Sequence, residues 1–308
     1  MDLIFMGTPD FAVPSLERLL SDGHNVRLVV TQPDKPVGRK RVMTPPAVKA
    51  CALSHNLPVY QPESMRTDET IAHLEQVEAD AIIVVAYGKI LPRRILDMTS
   101  LGCINVHGSL LPRYRGAAPV QWAVINGDAE SGVTTMRLDE GVDTGDVLLM
   151  SRRPIDDNMT GGELFSLLAE DGAQLLSETL RRLQEGSLTA TPQPTEGACY
   201  ACMLDKSMCP IDWNKEAKVI HNQVRGMNPW PVATCSVPDK GTMKIYSTHV
   251  GEAVNAVPGT VVCSQPLTVA CGNGTSLVIE ELQAEGARRM MASDYLCGHP
   301  IPIGTVLA

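Results

Sequence analysis

Residues 81–87 read A-I-I-V-V-A-Y, an apolar and largely β-branched run with no charged position. A strand written this way has no water-facing side, so it belongs in the middle of a sheet covered on both faces by helices. That requirement organises the first half of the chain. Residues 3–6, 26–31 and 58–60 supply further short strands, and helical spacing fills 11–20, 46–55 and 66–78, the last with Ile71, Leu74 and Val77 on one face. Strand and helix in alternation imply an α/β fold with a Rossmann-like, doubly wound sheet. The first turn, G-T-P-D at 7–10, lacks the second and third glycines of a dinucleotide fingerprint, which argues against a nicotinamide cofactor.

In such sheets ligands bind outside the carboxyl ends of the strands. The run from Gly102 opens as a short strand carrying Asn105 and His107 to that edge, and residues two apart point to the same side. By itself an N-x-H reads better as a strand-end asparagine capping a turn and a histidine on a polar face; the rest of the segment changes that weighing. A helix at 119–125 and a strand at 131–138 lead to the loop 139–146, D-E-G-V-D-T-G-D, where Gly141 and Gly145 flank Asp143. Alone, that loop is an ordinary acidic hairpin. Together an asparagine, a histidine and an aspartate offer hydrogen-bond donors to an oxyanion and a carboxylate to hold the imidazole charged or take a proton through water. This set suits attack of an amine on a carbonyl carbon. Ser109 has neither a neighbouring base nor a G-x-S-x-G elbow, which argues against a serine hydrolase.

A long helix at 160–185 opens on Thr160 with Glu163 as its capping-box partner. The following stretch, 187–207, is rich in proline, threonine and glycine and reads as a linker. Beyond a helix at 215–225, short strands at 232–237, 243–248, 259–263, 267–270 and 276–281 suggest a small OB-like β-barrel. The expected domains are therefore 1–188, catalytic, and 208–308, the barrel, joined by 189–207. Nine cysteines, an odd number in a chain without a signal peptide, argue for reduced thiols and a cytoplasmic protein. Cys199 and Cys202 have metal-ligand spacing, but no second pair follows at zinc-finger distance, so no metal is expected. No apolar run is long enough for a membrane span. A net charge of −9 excludes a protein coated in basic surface for nucleic acid. It leaves room for a local patch, and Lys35, Arg39, Lys40 and Arg41 form one between proline pairs. From charge alone that cluster is a solvated loop.

The segments F-M-G-T-P-D-F at 5–11, V-V-A-Y-G-K-I-L at 84–91, N-V-H-G-S-L-L-P-R-Y-R-G at 105–116 and G-V-D-T-G at 141–145 resemble the methionyl-tRNA formyltransferase family of folate-dependent formyltransferases. The resemblance continues in I-D-W at 211–213 and V-R-G-M-N-P-W-P at 224–231, and so spans nearly the whole chain. It implies 10-formyltetrahydrofolate as donor and the methionyl α-amino group of initiator tRNA as acceptor, for translation initiation. It further implies that Asn105 holds the formyl oxygen, His107 stabilises the oxyanion, and Asp143 orients the imidazole and receives the amine proton through water. Folate contacts are expected from Tyr87, Lys89, Leu91, Ser109, Leu110, Leu111, Pro112 and Glu140. Contacts to tRNA are expected from Lys35, Arg39, Lys40 and Arg41, with Arg39 foremost, and from the barrel. A monomer with no membrane partner is expected. The chain departs from the family where members commonly show Y-A-x-K, since Tyr200 and Ala201 are followed by Cys202 and Met203. Two other readings stay open: formyl transfer to an amino sugar nucleotide, and tRNA binding without catalysis.

Overall fold

A computed structural model describes residues 1–38 and 40–308. It divides into two units, one of residues 1–119, 131–153 and 165–201, the other of residues 120–130, 154–164 and 202–308. In chain order the strands up to residue 201 are β1 (Asp2–Gly7), β2 (Asn25–Val30), β3 (Lys35–Val37), β4 (Val42–Thr44), β5 (Val59–Tyr60), β6 (Ala81–Val85), β7 (Cys103–His107), β8 (Arg115–Gly116), β9 (Glu130–Arg137), β10 (Val147–Pro154) and β11 (Tyr200–Ala201). The helices are α1 (Val13–Ser21), α2 (Ala47–Ser54), α3 (Asp68–Glu75), α4 (Arg93–Leu96), α5 (Pro119–Ile125) and α6 (Gly161–Gln184).

Seven strands form the central sheet in the order β10-β9-β7-β6-β1-β2-β5. The pairs β1·β2, β1·β6, β6·β7 and β2·β5 are parallel, whereas β7·β9 is antiparallel, so the sheet is doubly wound but mixed. The chain winds outward from β1 to β5, then returns past β1 to β6. Its direction therefore reverses between β1 and β6, and the carboxyl ends of these strands open the crevice that such sheets use for ligands. All residues of β6 are buried, as its apolar run requires. On one face Ile4, Met6, Ile82 and Val84 pack with Ile71, Leu74 and Ile95. At β7, helix α6 approaches so closely that a Cβ on Gly172 would lie 2.9 Å from Val106 Cγ1. The sheet behind the carboxyl edge is thus held by close packing.

Two segments carry more order than the sequence suggested. The basic loop contains a hairpin in which β3 and β4 pair antiparallel. The proline-rich stretch after α6 is tied to the sheet unit as far as residue 201: Thr191 bridges to Val147, and β11 pairs in parallel with β8.

The second unit contains α7 (Ala217–Gly226), β12 (Ala233–Val237), β13 (Gly241–Val250), β14 (Val261–Ser264), β15 (Leu267–Ala270), β16 (Ser276–Ala284), β17 (Met290–Met291) and α8 (Ala292–Gly298). Its sheet runs β12-β13-β16-β15-β14, with β17 also paired to β16. The two edges are joined by the chain's last residues. Val261 N–H donates to Thr305 O and Leu307 N–H to Gly259 O, both at 2.8 Å, while Ala308 N–H donates to Ser236 O at 3.0 Å. This closes the sheet into a small barrel. Ile220 and Val224 of α7 join Ile245, Val269, Leu277 and Tyr295 in its core. Among the described residues, no helix is long and apolar enough to cross a membrane.

Candidate active site

Strand β7 brings Asn105 and His107 to the carboxyl edge of the sheet, where its pairing with β6 on one side and β9 on the other fixes their register. Both residues are buried, each 7% exposed, and alternation places them on one face. His107 Nε2 lies 2.9 Å from Tyr114 O. A carbonyl only accepts, so Nε2 carries a hydrogen and Nδ1 is the ring nitrogen left to meet another partner. That nitrogen faces Asp143, with Nδ1 to Oδ2 at 3.7 Å and the two side chains 7% and 16% exposed. The distance is ion-pair range, longer than a hydrogen bond.

Asp143 is held at its own end. Its Oδ2 accepts from Gly116 N–H at 2.7 Å. Its backbone adopts φ 54°, a left-handed conformation that only glycine and a few short polar residues take readily. The tight bend continues through Gly145, where any Cβ would collide with the carbonyl of Arg137. Asp139 stabilises the start of the loop, accepting from Gly141 N–H at 3.0 Å and from the Thr144 hydroxyl at 2.7 Å. The loop therefore presents one carboxylate in a backbone setting that the remaining residues enforce. Asn105, His107 and Asp143 are the three expected catalytic residues, and the structure brings them together in one unit.

The expected folate residues are placed unevenly. Tyr87 is 1% exposed, and its hydroxyl donates to Met65 Sδ at 3.0 Å; burial pushes the phenol up to about 12. Leu91 packs in the same core cluster. Both side chains are buried, and the Tyr87 carbonyl accepts from Gln32 Nε2 at 2.8 Å and Thr8 Oγ1 at 3.1 Å. Lys89 donates to the carbonyls of Pro62 at 2.7 Å and Glu63 at 2.6 Å, and burial lowers its pKa. Ser109 is fully buried and donates to Arg113 O at 2.6 Å, so its hydroxyl shapes the turn. Leu111 is buried, with its N–H donating to Thr134 Oγ1 at 3.2 Å, whereas Leu110 and Pro112 are partly exposed. Glu140 is exposed, 3.9 Å from Arg93 Nη1.

Of the basic cluster, Lys35, Lys40 and Arg41 are exposed on or beside the β3–β4 hairpin, Lys35 donating to Gln32 Oε1 at 3.0 Å. Arg39 lies outside the described residues. Val37, Val42 and Met43 are also exposed there, so the hairpin shows apolar as well as basic surface.

Three contributors went unread in the sequence: the Tyr114 carbonyl, the Gly116 amide and Gln193. Gln193 donates from Nε2 to Asp143 O at 2.9 Å and to Gly145 O at 2.7 Å, and its Oε1 accepts from Arg115 Nη2 at 2.7 Å. The only local signal for it was its position between Pro192 and Pro194. Cys199 of the C-x-x-C pair is also used here, its Sγ accepting from Tyr114 N–H at 3.2 Å.

An amide, an imidazole with one free nitrogen and a restrained carboxylate at a sheet edge can stabilise an oxyanion and move a proton. The chain is similar to known proteins over its full length. Residues 1–180 match the family described as Formyl transferase, and residues 203–300 match Formyl transferase, C-terminal domain. The chain is 48% identical over 311 residues to the methionyl-tRNA formyltransferase of Acetivibrio thermocellus, covering 100% of this chain and 99% of that protein. Identity is also 48% to the methionyl-tRNA formyltransferase of Clostridium novyi, over 100% of both. Among solved structures, the sugar 3N-formyl transferase WlaRD, determined with dTDP and 5-N-formyl-THF, shares the fold at TM-score 0.69 and 19% identity, over 94% of this chain and 99% of that one. HypX from Aquifex aeolicus in complex with tetrahydrofolic acid aligns at TM-score 0.65 and 16% identity, over 96% of this chain and 46% of that one. With identity near one half over its full length to enzymes of one activity, the chain belongs to the methionyl-tRNA formyltransferase family and is an enzyme that formylates methionyl-tRNA.

Proposed function

We propose that the formyl donor is 10-formyltetrahydrofolate, that the acceptor is the methionyl α-amino group of initiator tRNA, and that Asn105, His107 and Asp143 carry the transfer. The acceptor nitrogen bonds to the formyl carbon as the carbonyl electrons move onto oxygen. Collapse of that tetrahedral species breaks the bond to N10 of the folate, which takes one proton while the acceptor amine loses one. Asn105 and His107 donate to the oxyanion, and Asp143 relays the amine proton through water. The observation that carries this reading is the 3.7 Å approach of His107 Nδ1 to Asp143 Oδ2 while Nε2 is committed to Tyr114. It leaves Nδ1, which faces the Asp143 carboxylate, as the ring nitrogen that serves the reaction.

The folate is read along Leu110, Pro112, Glu140 and the main chain of 87–91, with Ser109, Leu111 and Lys89 shaping the turn and loop behind them. Support comes from the family itself and from the tetrahydrofolate in the Aquifex aeolicus neighbour. The acceptor stem is met by Lys35, Arg39, Lys40 and Arg41, and phosphates by the barrel. The exposure of Lys35, Lys40 and Arg41 supports that assignment.

The test is a transfer assay with charged initiator tRNA and 10-formyltetrahydrofolate. Asp143→Ala is expected to lower turnover on the order of 100- to 10,000-fold, the range of a lost general acid–base group, and Asn105→Ala on the order of 100- to 1,000-fold, the range of a lost oxyanion donor. Affinity for tRNA should stay near that of the parent. Retained turnover in Asp143→Ala removes that residue from the mechanism, and transfer to an amino sugar nucleotide with none to tRNA overturns the acceptor.

A further inference from the structure

We propose that Gln193 is a positioning residue for Asp143, so that the stretch after α6 completes the catalytic site as well as leading the chain away from it. The inference rests on the reading of Asp143 given above. Both ends of the Gln193 carboxamide are engaged. Its Nε2 donates to Asp143 O at 2.9 Å and Gly145 O at 2.7 Å, while Oε1 accepts from Arg115 Nε at 3.2 Å and Nη2 at 2.7 Å. The two carbonyls belong to the bend that holds Asp143 at φ 54°, and Gly116, whose N–H donates to the Asp143 carboxylate, follows Arg115 directly. One side chain thus fixes the spacing between the loop that carries the carboxylate and the strand that receives it.

The backbone at residue 193 is anchored on both sides. Thr191 and Val147 exchange N–H···O bonds of 2.8 Å, and farther on Arg115 N–H donates to Cys199 O and Ala117 N–H to Ala201 O, each at 2.9 Å. Pro192 and Pro194 restrict the chain between these ties. An amide is the group this place needs. Glutamate would keep an acceptor for Arg115 but lose both donors to the loop, and lysine would keep donors but lose the acceptor. A catalytic group displaced by about 1 Å can cost on the order of 100-fold in rate, so a loosened Asp143 loop is a kinetic lesion before it is a binding one.

The experiment compares the full-length parent with Gln193→Ala, Gln193→Glu and Asp143→Asn by steady-state transfer and thermal melting. Both Gln193 variants are expected to lose about 10- to 100-fold in kcat, with KM for tRNA and for the folate donor within about twofold of the parent and melting nearly unchanged. A parental kcat in Gln193→Ala overturns the proposal. So does recovery in Gln193→Glu, which would assign the residue to Arg115 instead of the loop. A loss of kcat in step with a lowered melting temperature in both variants also overturns it, because the role would then be general stability. Full turnover in Asp143→Asn is a separate result and strikes the reading of Asp143 itself.

Discussion

The barrel unit holds a histidine whose burial favours the neutral ring. His221 Nε2 donates to Asp157 O at 2.9 Å, and in the neutral ring Nδ1 accepts from the Thr248 hydroxyl, 3.0 Å away. Burial is the main cause that lowers its pKa below the ordinary 6.5; the hydrogen bond to Asp157 O opposes the shift, and the Arg225 and Lys218 charges add to it. The unfolded chain therefore takes up a proton first as pH falls through about 6.5, and folding stability declines there, by at most about 1.4 kcal/mol per pH unit for one proton. Above that pH both states hold neutral histidine and the loss vanishes. Urea unfolding between about pH 7.5 and 5.5 should show a shallower slope for His221→Gln than for the parent; equal slopes would discharge His221 as the cause. At this scale the placement of Asn105 and His107 together at a strand end, and of Asp143 in a glycine-flanked bend, was legible, because strand alternation and paired glycines are local signals. The partners that orient them were not. Tyr114 acts through its carbonyl and Gly116 through its amide, groups every residue has, and Gln193 reaches its loop across 50 residues of chain.

Among the elements, α6 is the one whose start is written most plainly. Glu163 Oε2 accepts from Thr160 N–H at 2.8 Å, and Thr160 Oγ1 accepts from Glu163 N–H at 3.2 Å, the reciprocal pair that Thr160 and Glu163 announced. Thr160→Ala should cost about 1 kcal/mol in urea unfolding, with little effect on turnover. An undiminished stability would show the cap to be replaced by solvent. The strands of the parallel core were equally readable, since burial on both faces leaves an uninterrupted apolar run. The β3–β4 hairpin was not, because every residue of both strands is exposed and nothing periodic marks them. Strands β8 and β11 are shorter still, two residues each, and exist through their mutual pairing. Of the two only β11 lies in the stretch that proline, threonine and glycine made read as a linker, yet it pairs with β8, whose Gly116 N–H donates to Asp143.

For the whole molecule, the net charge of −9 sets a limit on how it meets a polyanion. Attraction must be local, so tRNA affinity should fall steeply as salt rises from about 50 to 200 mM, through release of counterions from the phosphates, while KM for the folate donor changes little. Parallel salt responses for the two substrates would show that phosphate contacts contribute nothing selective. The α/β class and the appended barrel were both visible from strand spacing, yet the antiparallel β7·β9 pair and the barrel's seam were not, since each depends on which distant strands meet. That seam has a consequence for biosynthesis. Residues 305–308 stitch β14 to β12, so a growing polypeptide that has not yet released them from the ribosome carries an open sheet, with Val261 of β14 and Ser236 of β12 unpaired along the seam while Thr234 keeps its bonds to Cys209 and Ile211. Until residues 305–308 are in place this sheet cannot seal, and its edges stay open to mispairing and to chaperone capture.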